Sequence, residues 1–226
     1  MNPTVSATFS SPISSHSDQR SVFHGARVKS VTFGWLLVIA ANAVVAATVD
    51  VQVNDEAGKP LANAVVFLES REAKQASKPL PNAVIAQVAK QFDPMVTVVS
   101  LGTSVQFPNR DKVRHHVYSF SPAKTFELKL YAGSEANPVV FDKSGVAVLG
   151  CNIHDNMAAW VVVVETPYFA RSADAGTVSL GNVPAGNYRL RVWHPDLPVG
   201  APATDQALVV GATNLSLTVR PLRSSP

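Results

Sequence analysis

Between Val49 and Val219 the apolar residues come in short runs, and in several of them every second residue is apolar. Val49, Val51 and Val53 open the pattern, Tyr188, Leu190 and Val192 repeat it, and Leu215, Leu217 and Val219 close it. Successive side chains on an extended strand point to opposite faces, so this period predicts strands with one buried face. "MVTVVSLGTSVQF", "HHVYSF", "TFELKLYA", "VVFD", "VAVLGC" and "AAWVVVVE" read as further strands. Gly102, Pro122, Gly133-Ser134, Lys143-Ser144-Gly145 and Pro184-Ala185-Gly186 punctuate them. Many short strands at this spacing predict an all-β sandwich or barrel. One stretch changes period. In "NAVIAQVAKQF", Val84, Ile85, Val88 and Phe92 fall on one helical face and Asn82 stands where a cap belongs, which predicts a short helix near 82–91.

The longest apolar run, "VTFGWLLVIAANAVVAA", occupies residues 31–47 behind Arg27 and Lys29 and ends in small residues. It reads as a secretory signal over 1–47, cleaved near Ala46 or Ala47. A retained anchor is the competing reading, but the run falls short of the roughly 20 residues a spanning helix needs. No twin-arginine pair precedes it, so the general export route is expected. The polar segment ahead of it is long for a signal, and a start near Val28 would give a compact one. The expected location is periplasmic, with no stable membrane span after cleavage. The formal net charge of +3 falls to +1 once Asp18, Arg20, Arg27 and Lys29 are set aside. No basic run or stripe remains, so nucleic-acid binding has little electrostatic support.

The stretch "LGCNIHDNM" holds the chain's one cysteine. Cys151, His154 and Met157 form Cys-x2-His-x2-Met, and the other histidines after residue 47 are His115, His116 and His194. Two imidazoles and a thiolate in a plane, with a weak axial thioether, are the ligand set of a blue copper electron-transfer site. The soft thiolate suits Cu(I), imidazole serves both oxidation states, and the thioether helps set the potential. A Cys beside Val148 and Leu149 is, taken alone, more often a buried core thiol, and a lone Met is usually packing. The shared loop and an upstream His favour the metal reading. His115 and His116 are neighbours on a strand and face opposite ways, so only one of them can ligate.

Residues 92–165 resemble a cupredoxin domain of the plastocyanin and amicyanin type. The resemblance rests on "FPNRDKVRHHV", which carries the pattern Phe-x-Asn, a short loop, a His, and Val two residues on. It rests also on "SGVAVLGCNIHDNM", which matches Gly-x5-Cys-x2-His-x2-Met with a short loop like amicyanin's. It implies a Greek-key sandwich, single-electron transfer and one type 1 copper ion held by His115, Cys151, His154 and Met157. It also implies that Asn109 braces the two ligand loops, and that His116 takes a place commonly held by Asn. A redox partner would dock near His154, Met157 and Ala158, with Ala159 adding to an apolar patch.

"DEAGKPLANAVVFL" and "GTVSLGNVPAGNYRLRVWHP" resemble the opening and continuation of a carboxypeptidase regulatory-like β-sandwich. The layout then has the first strands of an outer sandwich at 48–76, a cupredoxin domain at 77–168 and the remainder of the outer sandwich at 169–226. In the alternative, a tandem order, the first strands join the central sheet. The combination resembles exported bacterial proteins of the methylamine utilisation type.

Other chemistries lack residues. Haem c attachment needs Cys-x2-Cys-His, a binuclear copper centre needs two cysteines, and multicopper oxidases need His-x-His pairs. Zinc accepts Cys and His but is poorly served by a thioether. A Cys–His enzyme would need a base and an orienting group, and none stands out, so no catalytic residue is expected. Copper delivery without redox turnover is the second functional reading, disfavoured by the lack of Met-rich or His-rich tracts. A binding role for the outer module, with Trp193 as a carbohydrate platform if exposed, is a third. His194 and Met95 are expected to be structural.

Overall fold

The computed structural model of the chain describes residues 46–133 and 137–221. Residues 31–45 of the apolar run at 31–47, and with them most of the expected signal, lie outside those residues. Among the described residues no helix is long and apolar enough to cross a membrane.

Among the described residues the structure is all-β apart from one short helix. Strand β1 (Ala46–Val53) buries Ala47, Val49, Val51 and Val53. Strand β2 (Val65–Glu69) follows, then helix α1 (Arg71–Ala76). Ser70 caps α1 by accepting the Ala73 N–H at 3.0 Å. A central series comes next: β3 (Ala83–Val84), β4 (Ala86–Val88), β5 (Gln91–Asp93), β6 (Val96–Ser100), β7 (Thr103–Gln106), β8 (His115–Ser121), β9 (Lys124–Tyr131), β10 (Val139–Phe141), β11 (Gly145–Gly150) and β12 (Ala158–Val164). The described residues end with β13 (Phe169–Arg171), β14 (Thr177–Pro184), β15 (Gly186–Trp193), β16 (Thr204–Val210) and β17 (Leu215–Val219).

The predicted helix at 82–91 is absent. Ala83–Val84 pairs in parallel with β7, and β4 and β5 form a hairpin. Ile85 and Phe92 are buried while Val84 and Val88 are exposed, so the four apolar residues do not share a face. Strand pairing overrides the helical period here, and β-branched residues suit it. The helix that does form lies in the polar stretch at 71–76, where Ser70 supplies the cap.

Strands from the two ends of the chain pair with one another. The order β14-β1-β17 makes one sheet and β13-β2-β15-β16 another. Their inner faces share a core of Val49, Val51, Val66, Leu68, Leu180, Leu190 and Val192, among others. Neither β1 nor β2 pairs with a strand of the central series. β2 and β13 bracket the central series in sequence and pair directly, Phe169 opposite Phe67. The central series therefore leaves and returns at adjacent points, the geometry an inserted unit requires.

The central strands form the sheet β6-β12-β11-β8-β9 and a smaller one, β10-β7-β3. Phe107, Val117, Phe141, Leu149, Val161 and Met157 lie in the core between them. A third cluster joins the outer face of β6 and β12 to the outer face of β2 and β15, through Val65, Phe67, Val96, Val162, Val164 and Trp193. This explains the two uninterrupted apolar runs. In β12, Val161 and Val163 face the central core, and Val162 and Val164 face the third cluster. In β2, Val66 and Leu68 face one core, and Val65 and Phe67 the other. A strand covered on both sides needs no polar face. Each such fully buried side chain contributes about 1.5–3 kcal/mol.

Candidate metal centre

The pairing of β11 with β12 ends at Gly150 opposite Ala158, so Cys151–Met157 is the loop of that hairpin. The Met157 N–H donates to the His154 carbonyl at 3.0 Å and tightens the turn. β8 begins at His115, opposite Tyr131, and a register irregularity lies between His115 and Val117.

These elements bring three side chains together. Cys151 Sγ lies 3.9 Å from His115 Nδ1 and 4.0 Å from His154 Nδ1. The three ligand atoms all fall within 4.8 Å of one another. Bond lengths of about 2.3 Å to sulfur and about 2.0 Å to imidazole nitrogen sum to about 4.3 Å. Both sulfur–nitrogen gaps are shorter, so one ion can touch all three donors with small movements. His115 is fully buried, Cys151 nearly so, and His154 half-buried. Met157 is 1% exposed and packs in the core beneath this end of the sandwich. The thiol is free, with no second cysteine to pair with.

His116 is not part of the group. Its Nε2 sits 2.9 Å from Glu127 Oε1 on the neighbouring strand, and its ring stacks near Tyr118 with centroids 5.5 Å apart. His194 follows the end of β15, its Nε2 3.0 Å from the Ala62 carbonyl and its Nδ1 accepting the Asp196 N–H. Trp193 is 4% exposed and belongs to the third cluster, so it offers no platform to a sugar.

Asn109 braces one loop. Its Nδ2 donates to the carbonyls of Val113 and Tyr131, both at 2.8 Å, and its Oδ1 accepts the Asp111 N–H at 2.9 Å. These bonds tie the segment ahead of His115 to the end of β9. They do not reach the Cys151 loop, so the expected link between the two ligand loops is corrected to a brace on His115 alone. The surface near His154 also differs from expectation. Met157 and Ala159 are buried, and the exposed apolar residues of that loop region are Ile153 and Ala158.

Asp111 was not singled out by sequence. Its Oδ2 lies 2.8 Å from His115 Nε2, and its carboxylate accepts the N–H groups of Ala89 and Lys90 at 2.7 and 2.8 Å. Burial pushes its carboxyl up, but these hydrogen bonds together hold it below the ordinary range. The sequence signal was an acid four residues before the His. In a loop that spacing carries no contact rule.

No family model matches the sequence, and no curated protein matches it. Among solved structures the chain is similar to a copper-containing nitrite reductase from Thermus scotoductus SA-01, with 26% identity, 39% of this chain, 23% of that chain and a TM-score of 0.35. It is similar to a purple cupredoxin from Nitrosopumilus maritimus, with 23% identity, 36% of this chain, 99% of that chain and a TM-score of 0.33. It is similar also to a variant of amicyanin in its reduced Cu(I) form, with 18% identity, 44% of this chain, 98% of that chain and a TM-score of 0.35.

Proposed function

We propose that the chain is an exported, periplasmic blue copper protein that carries single electrons, with one type 1 copper ion held by His115, Cys151, His154 and Met157. The observation that carries the reading is Cys151 Sγ flanked by His115 Nδ1 and His154 Nδ1 at 3.9 and 4.0 Å. Copper, when bound, supplies the Cu(II)/Cu(I) couple. Cys151, His115 and His154 would hold it through a thiolate and two imidazoles, and the buried Met157 would offer a weaker thioether donor.

The residues around the donors keep them in place through a change of oxidation state. Asn109 fixes the loop before His115, and the Met157 N–H fixes the loop after Cys151. Core packing on Leu149, Phe107 and Val117 keeps water from Cys151. The half-buried ring of His154 is the point of closest approach for a redox partner, which would dock over Ile153 and Ala158. Asp111, His115 and Cys151 line up as a carboxylate, an imidazole and a thiol, but a second imidazole, His154, lies 4.0 Å from the same sulfur, which a metal site needs and a nucleophile does not, so we read the chain as a carrier and not an enzyme. The burial of Cys151 and His115 favours retention of the metal over hand-off, and so favours electron transfer over copper delivery.

The test is spectroscopic. Purified protein covering residues 48–226, given one equivalent of Cu(II), is expected to turn intensely blue and to show a spin-resonance signal with narrow copper hyperfine splitting. Cys151→Ala is expected to abolish both. A folded, copper-loaded protein without the blue band would sink the proposal.

A further inference from the structure

The structure assigns to Asp111 a role as the positioning residue of His115, held in place by a strained turn from a different hairpin. The inference rests on the copper reading for its redox consequence, but its geometry stands without any metal.

A carboxylate only accepts hydrogen bonds, and a neutral imidazole carries one N–H. With Asp111 Oδ2 2.8 Å from His115 Nε2, the proton belongs on Nε2. That leaves the Nδ1 lone pair facing Cys151 Sγ. Carboxylates that accept from the far nitrogen of a ligand imidazole fix its tautomer and ring angle and raise its basicity.

What holds Asp111 is unusual. β4 and β5 are joined by a two-residue turn, Val88 pairing with Gln91. The turn residues Ala89 and Lys90 have φ of 51° and 59°, both left-handed. Glycine or asparagine normally occupies such positions, because a β-carbon there crowds the backbone. Here both turn N–H groups point at one carboxylate, with Ala89 N 2.7 Å from Asp111 Oδ1 and Lys90 N 2.8 Å from Oδ2. Consecutive amides in this conformation form an anion cradle. The hairpin is itself anchored to the loop, since Gln87 N–H donates to the Pro108 carbonyl and Arg110 N–H to the Gln87 carbonyl, both at 2.9 Å. A strained turn thus fixes a carboxylate, and the carboxylate fixes the imidazole.

The first arm of the test needs no copper. In metal-free protein, long-range nitrogen–proton NMR of His115 is expected to show the Nε2–H tautomer. In Asp111→Ala it is expected to become a mixture. In Asp111→Asn, whose amide oxygen still accepts, the tautomer is expected to persist, which guards against a folding failure in the alanine variant. The second arm uses copper-loaded protein. Asp111→Ala is expected to weaken Cu(II) binding about 10- to 100-fold, more than Cu(I), and so to raise the reduction potential. Asp111→Asn raises it too, because the charge is gone. A native Nδ1–H tautomer, or an unchanged tautomer and potential in Asp111→Ala, overturns the assignment. Failure to bind copper overturns the function above and leaves the first arm to decide this one.

Discussion

The ring of Tyr118 on β8 lies over the α-carbon of Gly150, the residue before Cys151. A β-carbon at position 150 would come within 2.7 Å of the Tyr118 Cζ and hydroxyl oxygen. The contact sits where β11 pairs with β8, Gly150 opposite Tyr118. It sets the distance between the strand that begins with His115 and the loop that begins with Cys151.

Gly150→Ala is therefore expected to destabilise the fold by about 1–3 kcal/mol through overpacking. The cost should be far smaller in a Tyr118→Ala background, since the clash has one partner. Urea denaturation of the four proteins of this double-mutant cycle measures the coupling. Equal costs in both backgrounds would show that Tyr118 is not what the glycine accommodates.

The two adjacent histidines are expected to separate cleanly. His115→Ala removes a donor 3.9 Å from Cys151 Sγ and should abolish the blue band. His116→Ala removes a ring that faces Glu127 and Tyr118 on the other side of the strand, and should leave the band in place. Optical titration with Cu(II) reads both. Loss of the band in His116→Ala alone would reassign the ligand.

Phe67 ties the outer sheets to the central one. It is 6% exposed, on the face of β2 that meets β12, in the cluster with Val162 and Trp193. Phe67→Ala is expected to cost about 3–5 kcal/mol, the usual range for a buried aromatic. If the two parts unfold together, circular dichroism and Trp fluorescence should shift by the same denaturant midpoint. Separate midpoints in the native protein would show that the cluster does not couple them.

The sequence carried the donors because three of them share one short loop. Cys151, His154 and Met157 sit between two short apolar strands, so their nearness follows from chain length alone. The opposite facing of strand neighbours allows only one of His115 and His116 to ligate, and the resemblance carried by "FPNRDKVRHHV" pointed to His115. Asp111 was hidden because its contacts, to His115, Ala89 and Lys90, depend on how a loop meets a hairpin. The hairpin was hidden in turn: Val84, Ile85, Val88 and Phe92 fit a helical face by count, and pairing with β7 decided otherwise. Nor does local pattern reveal that β1 lies parallel to β17, Val49 opposite Leu215, since that pairing joins the two ends of the described chain.

Acid stability offers a test of the outer sheet. Asp205 on β16 lies opposite Arg191 on β15 and makes a two-point ion pair with Arg189, Nε to Oδ1 at 2.6 Å. The Arg189 hydrogen bond, chiefly, holds the Asp205 carboxyl below its ordinary range, against a smaller opposing effect of burial. A depressed folded pKa means that the unfolded chain takes up the proton first as pH falls. The pair's contribution is then fully present above the unfolded carboxylate value of about 3.9 and is lost as pH drops through the lower folded value. Asp205→Asn should flatten the acid limb of the stability profile below about pH 4 and leave a constant deficit at neutral pH. Both partners are partly open to solvent, so the deficit should be small and should shrink with added salt. Thermal melts at pH 3 and pH 7, in low and high salt, measure it. A deficit that grows on acidification would reverse the sign and refute the pair's role.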